Sequence, residues 1–116
     1  MSDEVIDLEA LRRLLDVIGG DPEDLDELLE EFEDVGPSTL ATMQGAAATG
    51  DLDALRIASH SLKSNARDFG ATQLATSCET LEHACRDGAV DDPEAKVQSI
   101  AAQLEDARSA LKTIQL

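Results

Sequence analysis

The sequence predicts an all-α fold: an antiparallel up-down four-helix bundle with a short additional helix at its N-terminus. Three observations carry that prediction. Aromatic residues are nearly absent, with only Phe32 and Phe69, while Leu and Ala dominate the 42% hydrophobic fraction. That composition suits helices packed through aliphatic ridges better than a sandwich built of β-branched and aromatic residues. Apolar residues recur at helical spacing along nearly the whole chain, and no stretch alternates with period two. Aspartate, proline and glycine then punctuate the chain where helices should begin and end.

The elements follow in order. Residues 1–4 read as frayed. Asp7 caps a helix over about 7–18, whose stripe is Leu8, Leu11, Leu15 and Ile18, and Gly19-Gly20 stops it. Asp21 caps the next helix with Pro22 in its first position, and Glu23 and Asp24 suit the positive end of its dipole. Leu25, Leu28, Leu29, Phe32, Val35, Leu40, Met43 and Ala47 keep the period through Gly36-Pro37. One long helix over about 22–48, bent at that proline, is the expectation, with two helices as the alternative. Gly50 closes it and Asp51 opens a third helix over 51–68. A fourth over 71–87 would bury Leu74, Cys78, Leu81 and Cys85 and end at Gly88. Asp91 or Asp92 caps a fifth over 92–114, lined by Val97, Ile100, Ala101, Leu104, Leu111 and Ile114.

A chain of 116 residues holds one domain, taken as 1–116, with one core. The formal net charge is −16, and residues 21–34 hold nine acids and no base. That field disfavours nucleic acids and anionic membranes as partners. No apolar run approaches the roughly 18 residues of a membrane span and no signal peptide opens the chain, so a cytoplasmic protein is expected. Cys78 and Cys85 lie about 10 Å apart along a helix, too far to join, and are expected as buried thiols. The packing stripes are consumed inside one bundle, so a monomer is expected. Met1 and the full helix set suggest a stand-alone protein, with an excised domain of a larger hybrid kinase as the alternative.

The third helix, DLDALRIASHSLKSNARDFG from Asp51 to Gly70, carries the chemistry. Leu55, Ala58, Leu62, Ala66 and Phe69 form its core stripe. Arg56, His60, Lys63, Ser64 and Arg67 fall within an arc of roughly 100° on the other side. A water-facing histidine is bracketed by three cations. A neutral imidazole is a nucleophile at neutral pH, and neighbouring cations would keep it neutral and attract phosphoryl oxygens. Small Ser64, one turn on, leaves room above the ring. Six of the nine basic residues lie elsewhere, so simple balance of the acidic segment explains the cluster poorly. His83, beside Glu79 and Glu82, is the other histidine. Carboxylate-bridged metal bundles need Glu-x-x-His twice, and that pattern is absent, so no metal site is predicted.

His60-Ser61-Leu62-Lys63-Ser64 followed by Gly70 resembles the signature of histidine-containing phosphotransfer (HPt) domains, H-x-L-K-[GS]-x5-G. Gly50-Asp51-Leu52 before it, and Leu74 and Leu81-Glu82 after it, extend the likeness over essentially the whole chain. The resemblance implies a phosphorelay intermediate: His60 takes a phosphoryl group from an aspartate of one response-regulator receiver domain and passes it to another. Lys63 would pair with the phosphoryl oxygens, Ser64 would fill the position often held by glycine, and Leu62 and Gly70 would be structural. Arg56, Ile57, Ser61, Ser64 and Arg67 are the candidates for receiver docking, with Asp53 or Asp68 as internal partners the arginines could take instead. The family has no kinase or phosphatase activity of its own. No cofactor is implied on this chain, since Mg²⁺ would sit on the receiver. A hybrid sensor histidine kinase is a further candidate partner. The competing reading is a helical interaction module that binds a receiver or other regulator without phosphate turnover.

Overall fold

The expected aspartates cap the helices. In the computed structural model, which describes residues 5–114, the Asp7 carboxylate accepts from the Glu9 amide, Asp21 from Glu23, Asp51 from Ala54 and Asp92 from Ala95. Each carboxylate satisfies an amide that the first turn leaves without a carbonyl partner. The helices they open are α1 (Leu8–Val17), α2 (Pro22–Thr49), α3 (Leu52–Asp68) and α5 (Pro93–Thr113); α4 (Thr72–Arg86) starts at Ala71 without a side-chain cap. The frayed stretch expected at 1–4 lies outside the described residues.

α2 is a single α-helix of 28 residues through Pro37. The proline has no amide to donate, yet the turns on both sides are held by packing. Gly36, one residue earlier, is buried, and a methyl group there would lie 3.3 Å from Leu104 Cδ1. Its lack of a side chain lets α2 and α5 approach closely. Arg108 of α5 reaches back across this seam to the Glu33 carboxylate at 2.8 Å.

α2, α3, α4 and α5 pack as a ring in chain order, with α5 closing on α2 and α3 on α4 the closest pair. Leu55, Leu62, Met43, Leu74, Ile100 and Leu104 are fully enclosed, and the Phe32 and Phe69 rings sit 5.0 Å apart between α2 and α3. Cys78 and Cys85 are free and buried, as expected. Burial pushes the Cys78 thiol up to about 12, so it packs as an apolar group.

Two stripes need correction. In α1 only Leu11 is buried, while Leu8, Leu15 and Ile18 are half-covered, because the short helix lies on the outside of α2 and α3 and presents one narrow edge. In α2, Val35 is an exposed residue rather than a core one. α1 is tied down at its start instead: the Asp7 amide donates to the Gly70 carbonyl at 2.7 Å, and Ile6 is buried.

Candidate functional site

α3 ends in a tight reversal. Gly70 has φ +77°, and the Ala71 amide reaches back to the Ala66 carbonyl at 2.8 Å. The left-handed turn suits glycine and aims α4 back along α3. A side chain at Gly70 would also strike the Asp7 carbonyl oxygen, 2.5 Å from the ideal Cβ position. The signature glycine therefore both turns the chain and admits the segment that anchors α1.

Folding α4 against α3 brings Glu82 opposite His60. The His60 side chain is 58% exposed, and its Nδ1 lies 2.9 Å from Glu82 Oε2. Lys63 Nζ lies 2.6 Å from the other oxygen, Oε1. One carboxylate thus holds both side chains. The Lys63 ammonium, and after it the His60 ring, keep the Glu82 carboxyl below the usual carboxylate range, against burial that pushes it up. An ionised carboxylate only accepts, so the contact assigns a proton to Nδ1, and Nε2 is the ring nitrogen that Glu82 does not engage.

This corrects the expectation for Lys63. It is not on the water-facing arc but 8% exposed, turned toward α4. The cationic surround of His60 is corrected with it. Arg56 bonds Asp53 at 2.9 Å, Arg67 bonds Glu79 of α4 at 2.9 Å, and Lys63 bonds Glu82. The nearest charge to the ring is a carboxylate. Asp53 was an expected internal partner for Arg56, whereas Arg67 takes Glu79 in place of Asp68.

The remaining candidates are arranged around the ring. Ser64 is exposed one turn beyond His60, Ser61 is exposed beside it, and Ile57 stands one turn before it with 54% of its surface open. Leu62 is fully enclosed below. Glu82 is the residue whose role sequence reasoning missed. Its signal was an acid directly beside the buried Leu81 of the α4 stripe, four residues after Cys78. His83 points outward and is exposed, and among the described residues no group of three His, Cys, Asp or Glu side chains could hold a metal ion.

The Hpt domain family model matches residues 27–112. This chain belongs to the Hpt domain family. The crystal structure of histidine-containing phosphotransfer protein B (HptB) from Pseudomonas aeruginosa PAO1 is similar over 96% of this chain and 94% of that one, with a TM-score of 0.86 and 27% identity. A comparison with curated proteins finds no match. Family membership and this likeness give the Hpt domain a phosphotransfer role in phosphorelays, and Hpt domains interact with response regulators. Among the described residues no helix is long and apolar enough to cross a membrane.

Proposed function

We propose that this Hpt domain carries a phosphoryl group on Nε2 of His60 between aspartates of receiver domains. The single observation that supports the reading is the His60–Glu82 contact, which engages Nδ1 of an exposed ring and leaves Nε2 as the nitrogen for transfer. In the forward step the Nε2 lone pair attacks phosphorus of the receiver's aspartyl phosphate. The Nε2–P bond forms, the P–O bond to the aspartate breaks, and the aspartate leaves as a carboxylate. The Nδ1 proton stays where it is, so the ring gains positive charge as the bond forms. Glu82 faces that charge and stabilises it where it develops. In the reverse step a second aspartate carboxylate attacks phosphorus and Nε2 leaves with its lone pair.

Lys63 supports this in two ways. It fixes the Glu82 carboxylate through Oε1, and an ammonium has three N–H groups, so donors remain for the phosphoryl oxygens. Phosphoryl transfer asks mainly for positioning and charge neutralisation. Mg²⁺ is assigned to the receiver, not to this chain. The protein is taken to act as a cytoplasmic monomer, with a hybrid sensor histidine kinase as a further candidate partner.

The test is incubation with a phosphorylated receiver domain and Mg²⁺, followed by a search for acid-labile, alkali-stable phosphate on this chain. Label on the wild type that is lost in His60→Gln is expected. Absence of label on the wild type, or label retained by His60→Gln, refutes the reading.

A further inference from the structure

α4 presents two flanks. Glu82 faces α3, where it meets His60 and Lys63. Ser77, Thr80 and Ala84 lie about 140–160° around the helix from it. They line a groove of about 380 Å³ between α4 and α5. Leu81 of α4 and Ile100 of α5, both buried, form its floor. The loop between the two helices walls one end through Ala89, Val90 and Asp91. Left-handed backbone at Gly88 and Asp92 sets that loop, and Lys96 of α5 ties it down, donating from Nζ to the Asp91 carbonyl at 3.0 Å.

Charge separates this groove from the rest of the surface. The chain has 25 acids, yet Asp91 is the one acid in the lining and Lys96 the one base. Arg56, Lys63, Arg67, Arg108 and Lys112 each have a carboxylate partner, whereas Lys96 has none among the described residues. Its bond to a backbone carbonyl leaves further N–H groups and the full positive charge. Ser99, one turn on from Lys96, adds a hydroxyl on the same slope of α5. The Thr80 hydroxyl is already spent on the Thr76 carbonyl, so the α4 slope offers mainly apolar contact.

We propose that this groove binds a small carboxylate with an unbranched apolar tail. The tail lies along Leu81, Ala84 and Ile100, and the carboxylate pairs with Lys96, with the Ser99 hydroxyl as a second donor. The volume falls within the roughly 300–1,000 Å³ of small-molecule sites. Thr76 to Ala84 spans about 12 Å of helix, the length of a tail of about nine carbons. An ammonium without a carboxylate, set at the edge of an apolar floor, favours an acid over an amine or an uncharged head. Occupancy of this flank leaves the His60 ring open, so binding is independent of the phosphotransfer reading.

The probe is octanoate, titrated into the full chain and followed by amide NMR and calorimetry. Octanamide supplies the same tail without the charge, and butyrate the same head without the tail. Lys96→Met removes the cation and keeps most of its stem, Ala84→Phe fills the groove, and Lys112→Met removes a cation of α5 outside it. Thermal melting confirms that each variant folds; Lys96 is exposed, so its variant carries the test where Ala84→Phe does not fold. Octanoate should bind with a Kd of about 1 mM or below and move amides within 76–84 and 96–100. Octanamide and butyrate should bind about tenfold more weakly or worse. Lys96→Met should weaken octanoate about tenfold and leave octanamide unchanged, Ala84→Phe should abolish both, and Lys112→Met should stay within about twofold of wild type. An absence of octanoate-induced shifts in those segments up to about 10 mM overturns the site. Octanamide that matches octanoate, or Lys96→Met that matches wild type, overturns the carboxylate assignment. Shifts in the same segments that follow protein concentration without any probe mean that a second copy fills the groove, and the ligand site falls.

Discussion

Lys63 and Glu82 meet across the α3–α4 seam at 2.6 Å, so the lysine of the family signature is tied to a carboxylate on the following helix. The same carboxylate holds His60. Three side chains from two helices therefore form one unit, and their substitutions should not act independently.

Glu82→Ala removes the carboxylate that contacts Nδ1 of His60. Transfer from a phosphorylated receiver should slow by about ten- to a hundredfold, in line with the loss of a positioned proton-holding group. Glu82→Gln keeps an acceptor without the charge and should fall between. Nitrogen NMR of the ring supplies a readout that mere destabilisation would not move: wild type should show the Nδ1–H tautomer, and Glu82→Ala a mixture. An unchanged tautomer ratio would contradict the positioning role.

Lys63→Ala leaves a largely buried carboxylate without its cation. Loss of one partner from such a pair costs several kcal/mol when fully enclosed; here both side chains keep a little solvent, and about 2 kcal/mol is expected. The variant should still fold, melt at a lower temperature, and lose phosphate from His60 faster than wild type. A melting temperature equal to wild type would show that the pair adds nothing.

The contribution of Glu82 should depend on acidity in a defined direction. Its folded value lies below the ordinary 4.5, so the stabilisation is fully present above that pH and is lost as pH falls through the lowered value. Glu33, lowered chiefly by its bond to Arg108, behaves alike. The difference in melting temperature between wild type and Glu82→Gln should be constant near neutrality and shrink below about pH 4.5. A difference that persists undiminished to about pH 3 would be inconsistent with this linkage.

Gly70→Ala puts a side chain at φ +77° and into the Asp7 carbonyl. A loss of about 2–4 kcal/mol is expected, from strain in the turn together with the displaced N-terminal segment. Chemical denaturation measures it directly. Gly88→Ala shares the left-handed backbone, at φ +74°, but meets no neighbour, and should cost less.

The helix ends were legible because their signals are local. An aspartate that caps a helix accepts from an amide two or three residues away, and nothing distant can change that pairing. The α3 stripe of Leu55, Ala58, Leu62, Ala66 and Phe69 was equally legible, and all five are buried. Lys63 was not. A helical wheel gives its angle, about 100° from the core direction, but whether that angle faces water or another helix depends on where α4 lies. Glu82 was invisible as a partner for the same reason, since it comes from a different element. The second role of Gly70 needs a backbone carbonyl from the far end of the chain, which no spacing rule reports.

That last contact has a consequence for how the molecule assembles. The Asp7–Gly70 bond closes a loop that contains all of α1, α2 and α3, and its acceptor exists in place only after the α3–α4 reversal has formed. α1 should therefore dock late in folding, onto a reversal already formed. Its amides should exchange with solvent by local detachment, well before those of α3, and their protection would report on the integrity of the reversal beneath the helix that carries His60.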